Sequence, residues 1–425
     1  MTQRQNEIWS NWSGSQQSSP TLFFPHDLDS LKEVVQSYPK IRVVGAGHSF
    51  SPLVKTNDVM ISLEQYKGMV THDAEHYQSE FYAGTRLYDV GEKLAAVNQA
   101  LMNQGDINQQ SIAGAIATAT HGTGIELPCL SALVSGFELL TASGDVLQCD
   151  AAHHADIFHA GRVALGSFGV MTKIQLQNRP MYRLKEQIRL CPLQDIFQHM
   201  EQWKTEHRHI EFFAFIHAQD VVLKTLDETF DGIQERTQSW IDEDLILNLC
   251  SELNRICPKV NPLLQKLLNL VIRQSTVVDW STRLFPSERH TRFNEMEYQI
   301  PAEHGLACFE EVMHVLKKQR AHVFFPIEFR YVRADDIWLS PFYQQDAVSI
   351  SVHQFYKQNY ELIFNLVEPI FLKYRGRPHW GKLHSLEARQ LQKLYPKWDD
   401  FMRLRHELDP TQKWLNSYLE RIFLT

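Results

Sequence analysis

The apolar and polar positions of this chain fall into segments of two different periods. Residues 27–36, DLDSLKEVVQ, carry apolar side chains at helical spacing behind an Asp or Ser cap, and IRVVGAG at 41–47 is a short apolar run that breaks on glycines. That predicts a helix, a buried strand and a tight loop. VMISLEQYKG reads as a further strand, SEFYAGTRLYDVGEKLAAVNQALM as a strand leading into a helix, and LVSGFELLTASGDVLQC as a hairpin turning at Ser143-Gly144-Asp145. Strands and helices are thus mixed, in an α+β or α/β manner, up to about residue 178.

From Met181 the texture changes. The pattern predicts a helix over 193–207, a strand over 209–217 and a long helical region over 238–273 that Pro258 and Pro262 should break. A boundary is placed near 180, and a second shift comes at Arg375-Gly376-Arg377-Pro378, after which the chain closes with a helical segment. At 425 residues the chain exceeds what one core usually serves, so two domains, each with its own core, are expected.

Composition narrows the functions available. The 44% hydrophobic and 22% charged content is that of an ordinary globular protein, and a net charge of -8 with no basic stripe disfavours nucleic-acid binding. The start, MTQRQNEIWSNWSG, lacks the apolar segment of a secretory signal, so a cytoplasmic location is expected. The six cysteines have no CxxC spacing and read as free thiols. The apolar stretch 264–272 is too short to span a bilayer and is interrupted by Gln265, Lys266 and Asn269. It suits a helix in a core, at a subunit contact or on a membrane surface. The pairs His153-His154 and His207-Arg208-His209 have no matched Cys or carboxylate spacing, and no metal is expected.

Two glycine-rich segments carry candidate chemistry. VVGAGHSFSPLV at 43–54 is a strand that ends in two glycines and delivers a histidine, which suits either a plain turn or a backbone that approaches a phosphate. It is not a dinucleotide GxGxxG fingerprint, because Phe50 stands where the third glycine should be. SIAGAIATATHGTG at 111–124 is a run of small and hydroxyl residues that would wrap a polyanion closely or serve as a packing seam. Glu328 and Arg330, two apart in PIEFR, share one face of a strand, as a pocket pair or as an exposed ion pair.

The order GAGHSFSPL, GDINQQSIAGAIATATHGTG, ASGDVLQC and DIFHAGRVALGSFGVMTKIQLQ resembles the flavin domain of the vanillyl-alcohol-oxidase (PCMH-type) flavoproteins. FNEMEYQIP, PIEFRYVRADDIWLSP and RPHWGK are similar to segments of their sugar-1,4-lactone and alditol oxidases. The resemblance runs nearly end to end and is weakest between about 220 and 290. It implies an α+β, two-domain fold: an FAD-binding domain at 1–180, an inserted substrate-binding cap with an antiparallel sheet at 181–375, and a C-terminal segment at 376–425 that returns to the FAD domain and active site.

By the same resemblance FAD is bonded covalently to His48. Val44, Gly45, Ala46, Gly47, Ser49 and Phe50 would hold its pyrophosphate and ring. Ser111, Gly114, Ala117, Thr118, His121, Gly122 and Thr123 would complete the cradle, with Val170 at the adenine or ribose end. Glu328 and Arg330 would contact substrate hydroxyls, Lys382 would hold the oxygen being oxidised beside the flavin, and His353 would be a sugar contact, with His379 and Trp380 as packing residues. Gly105 and Asp106 fall where the family passes close to the flavin's reactive face. A glycine there favours an oxidase, and the aspartate, in place of the serine of alditol oxidase, favours a lactone over a polyol.

The expected activity is oxidation of an aldono-1,4-lactone of the L-gulono or D-arabinono type, with O2 as acceptor and H2O2 as product. The alternatives are an alditol oxidase, a lactone dehydrogenase with another acceptor, and a non-catalytic flavin scaffold, against which His48, Glu328, Arg330 and Lys382 together count. Expected partners are a sugar lactone or polyol and O2, with the chain a monomer or homodimer and peripheral membrane contact allowed.

Overall fold

The computed structural model describes residues 1–4, 7–235, 243–272, 274–287 and 290–424. The first predicted helix is Leu28–Ser37, started by a capping box in which the Asp27 side chain accepts from the Ser30 N–H, so that Leu31, Val34 and Val35 are buried. It crosses over a four-stranded sheet in which Thr21–Phe24, Val59–Ser62 and Ile41–Val44 run parallel. A second, five-stranded antiparallel sheet contains the predicted hairpin, Val134–Leu140 paired with Val146–Asp150, whose turn is permitted by Gly144 at φ +95°.

Beyond Gln177 the chain leaves that sheet and enters an eight-stranded antiparallel one, ordered Ser275–Trp280, Arg183–Pro192, Asp220–Thr229, His209–Ala214, Ile327–Val332, Ala347–Phe355, Phe293–Pro301 and Arg377–Pro378. The strand expected over 209–217 stops at Ala214, because Phe215–Ala218 closes a turn through the Ala218 N–H. The long helical tract is two helices, Glu243–Ile256 and Asn261–Val271, separated by a 3-10 turn at Pro258–Val260. Pro258 opens that turn, while Pro262 sits in the first turn of the second helix, where its missing N–H costs nothing. The rest of the predicted tract, 238–242 and 273, lies outside the described residues.

The eight-stranded sheet has two unlike faces, as period-2 alternation requires. Phe212, Phe329, Tyr298 and Ile350 point one way and are buried against the helices Gly305–Lys318 and Glu361–Lys373, with Phe212 and Phe329 stacked at 4.6 Å and Tyr298 and Phe371 at 5.1 Å. Glu211, Arg330, Ser351, Glu297, Glu295 and His353 occupy the other parity. They form a polar face turned away from that core.

Separate cores for the two expected units are not what the packing contains. The buried apolar side chains form one contiguous cluster that includes Phe23, Phe168, Phe329 and Phe423, with a small satellite around Tyr182 and Leu226. The C-terminal residues pack back onto the first part of the chain. Phe401 stacks on Phe168 at 4.8 Å, Lys413 donates to the carbonyl of Val35 at 2.6 Å, and Asn416 donates to those of Pro52 and Lys55, both at 2.9 Å. Buried Arg42 donates to the carbonyls of Leu165 at 2.7 Å, Gly166 at 3.1 Å and Trp414.

Candidate active site

Two adjoining cavities lie among these elements. The first is walled by Val44, Gly45, Ala46, Gly47, His48 and Ser49 from the first glycine loop, by Ser111, Gly114, Ala117 and Thr118 from the second, and by Val170. The two loops touch: a Cβ on Gly45 would lie 2.2 Å from the Ser111 hydroxyl, so glycine is what lets them close on one another. This small-residue wall leaves backbone exposed to a ligand and fits a dinucleotide. Sequence reasoning passed over Gly84, Leu165 and Gly166, which also line it; GTR after the strand at 78–82 and LGS at 165–167 were the available signals.

The second cavity shares Ala46, His48, Ser49 and Thr118 with the first and adds Phe50, Gly105, Asp106 and His121. Glu328, Arg330, His353 and Lys382 from the cap sheet and C-terminal segment complete the predicted set there. His48 therefore stands where the cavities meet, its ring stacked 6.0 Å from Trp12. Burial, with Arg86 and Lys382 nearby, pushes its imidazole down to about 4, so it is neutral with a free lone pair.

Gly122 and Thr123, expected in the cradle, line neither cavity. Gly122 abuts Asn103, Thr123 donates its hydroxyl to the Ile210 carbonyl, and Gly124 N–H bonds the Tyr331 carbonyl at 2.8 Å. That end of the segment stitches the two halves together. His121, expected beside phosphate, instead faces the second cavity and Glu297.

The walls of the second cavity are two charge clusters. Arg330 donates to Asp106 at 2.5 Å and Glu211 at 2.6 Å and lies 3.1 Å from Glu328; Lys224 lies 3.1 Å from Glu211. Register sets this order, since Glu211 is directly opposite both Lys224 and Arg330 on its two neighbouring strands. Lys382 is bonded to Glu295 and lies 3.8 Å from Glu297. It reaches them because the segment 379–383 is threaded between the glycine loop, where Phe50 N–H bonds the Gly381 carbonyl at 2.7 Å, and the strand Phe293–Pro301, where Leu383 N–H bonds the Glu295 carbonyl at 2.9 Å. Burial would raise the Glu295 carboxyl, but Lys382 and His353 hold it low; burial would lower Lys382, but Glu295 and Glu297 hold it high.

Glu211, Glu295, Glu297 and Lys224 were not singled out from the sequence. The signal was present in FNEMEYQIP, whose two carboxylates stand two apart as Glu328 and Arg330 do. Of the histidine pairs judged not to be metal ligands, His153 pairs with Asp150 at 3.0 Å and His207 with Asp227 at 2.7 Å. His121, Glu297 and His379 bring donor atoms within 4.8 Å of one another. Among the described residues, no helix is long and apolar enough to cross a membrane.

Comparison with known proteins agrees with this geometry. Residues 20–150 match the FAD binding domain model and residues 174–422 the D-arabinono-1,4-lactone oxidase model. The L-gulono-1,4-lactone dehydrogenase of Mycobacterium tuberculosis is 35% identical over 426 residues, 98% of this chain and 99% of that one. The L-gulonolactone oxidase of Scyliorhinus torazame is 30% identical over 433 residues, 97% of each chain. A cholesterol oxidase from Brevibacterium sterolicum superposes with a TM-score of 0.84 at 15% identity, over 99% of this chain and 97% of that one, which shows the shared PCMH-type fold. With both glycine loops closed on one cavity and most of its length matched, this chain is an FAD-dependent oxidoreductase that belongs to the D-arabinono-1,4-lactone oxidase family.

Proposed function

We propose that this protein oxidises a secondary hydroxyl of an aldono-1,4-lactone, with FAD bonded to His48 and O2 as the acceptor. The observation that carries the reading is the placement of two cations, Arg330 and Lys382, on the wall of one cavity that meets, at His48, the one lined by the two glycine loops.

When bound, FAD supplies the hydride acceptor and passes two electrons onward. The chain's own residues do the rest. Lys382, already fixed by Glu295 and Glu297, meets the hydroxyl oxygen and stabilises the negative charge that develops as the hydroxyl proton passes to solvent. Arg330, clamped by Asp106, Glu211 and Glu328, lines the cavity and orients the lactone, whose other hydroxyls donate to Glu328 and Asp106. His353, opposite Glu295 in register, borders the same space. The neutral imidazole of His48 is the form required of a group that bonds the cofactor ring.

A dehydrogenase that uses another acceptor is the second reading, favoured by the name of the mycobacterial relative. Acid precipitation of the purified protein, a visible spectrum of the pellet, and a peroxide assay with L-gulono-1,4-lactone, D-arabinono-1,4-lactone and xylitol, with His48→Ala as control, test the proposal. Yellow protein that turns colourless in the variant, with peroxide from a lactone, supports it. Dye reduction without peroxide selects the dehydrogenase, turnover of xylitol alone selects an alditol oxidase, and a colourless pellet overturns the covalent link.

A further inference from the structure

His121 is buried at the edge of the second cavity, and both of its ring nitrogens face oxygen. Nδ1 lies 2.8 Å from the Gly122 carbonyl and Nε2 lies 2.7 Å from Glu297 Oε1. A carbonyl and an ionised carboxylate only accept, and a neutral imidazole has a single N–H. A neutral His121 would therefore point a bare lone pair at an oxygen at hydrogen-bond distance. Turning the ring over would put carbon at both contacts.

The proton is not on the carboxyl instead. Glu297 also receives the Gln299 amide at 2.6 Å and the Ser351 hydroxyl at 3.0 Å, with Lys382 3.8 Å away. Burial would raise this carboxyl, but with the Lys382 ammonium and these donors around it the carboxyl is held well below the ordinary range. Nor is a metal ion bridging the pair: bonds of about 2.0 Å to each at a tetrahedral angle would hold nitrogen and oxygen about 3.3 Å apart, not 2.7 Å. The neighbouring histidine differs. His379 Nδ1 accepts the Gly381 N–H at 3.0 Å, so that ring is neutral, and burial lowers it to about 4.

We propose that Glu297 is a positioning residue that holds His121 as a doubly protonated imidazolium, so that His121 stands with Lys382 and Arg330 as a further cation on the wall of the reaction cavity. The charged and titratable groups facing this ring are Glu297, His379 and Lys382, with the edge of Phe342 at 5.2 Å. The consequence for catalysis rests on the lactone-oxidising reading above; the protonation itself does not. With the lysine, the imidazolium would stabilise the substrate oxygen as its proton leaves.

The test is nitrogen-15 NMR of the holoenzyme labelled at histidine, with the His121 signals identified by their loss in His121→Gln. At pH 7.5 both His121 nitrogens should be protonated in the unaltered protein and in Glu297→Asp, and one should lose its proton in Glu297→Gln. A single protonated nitrogen in the unaltered protein, or two in Glu297→Gln, overturns the proposal. If Glu297→Gln does not fold, the spectrum of the unaltered protein alone still decides. In rapid mixing with a lactone, flavin reduction should be level with pH from 6 to 8 in the unaltered protein. In Glu297→Gln it should be about tenfold lower at pH 8 than at pH 6, and Glu297→Asp should restore it. Parallel profiles overturn the proposal. A protein that reduces no flavin with any lactone removes the functional reading and leaves the NMR result standing.

Discussion

Asp106 and Arg330 meet at 2.5 Å, although one belongs to a loop between the glycine-rich segments and the other to a strand in the middle of the cap sheet. The contact joins the loop after the first glycine segment to the eight-stranded sheet at the cavity wall. Arg330 also holds Glu211 and Glu328, so its guanidinium remains anchored on the sheet when Asp106 is changed. Asp106→Asn should therefore cost about 2 kcal/mol of transition-state binding, a roughly 30-fold loss in kcat/KM carried mainly by KM. Steady-state kinetics with the preferred lactone check this; an unchanged KM would show that Asp106 is only structural.

Lys382 should behave differently, because the proposed reaction puts it at the oxygen whose charge changes. Lys382→Met removes a preorganised cation and leaves Glu295 and Glu297 buried with His353 and His121 as partners. The expected result is a fall in kcat of about 10²–10³-fold with flavin content retained. Single-turnover flavin reduction is the measurement, and a variant that loses flavin instead would assign Lys382 to cofactor retention.

His379 and His209 make stability depend on pH. Burial lowers both, to about 4 and about 3, so each is neutral in the folded chain. The unfolded chain binds a proton at each below about 6.5 while the folded chain does not, so the unfolded form is favoured as pH falls. Stability should drop by roughly 1.4 kcal/mol per pH unit for each histidine, from about pH 6.5 downward. Urea unfolding at pH 7.5, 6 and 5 measures the slope. His209→Gln, which keeps a donor for the Thr123 carbonyl, should flatten it by about one proton's worth.

Arg42 ties the C-terminal segment to the first sheet. Arg42→Met strands the carbonyls of Leu165, Gly166 and Trp414 and should cost about 3 kcal/mol in denaturant unfolding. Limited proteolysis should then cut within 376–425 before it cuts elsewhere. Equal protection of that segment in the variant and the unaltered protein would show that Lys413 and Asn416 hold it without the arginine.

Much of this was legible in the chain itself. The helices at 28–37 and 193–206, the hairpin at 134–150 and the two glycine loops depend on local periodicity, caps and residue size, so they are written in consecutive residues. Most of the small residues expected around the cofactor do line the first cavity, since their value lies in what they lack.

Tertiary structure decided the rest. Period-2 alternation says that Glu295 and Glu297 share a face, yet it is strand register that sets Glu295 opposite His353, and it is the folding of the HGTG segment across the sheet that brings His121 to Glu297 from 176 residues away. The same crossing takes Gly122 and Thr123 off the walls of both cavities. Sequence determines which residues can pair, through charge and spacing; only the closed fold, by excluding water and fixing distances, decides which of them do.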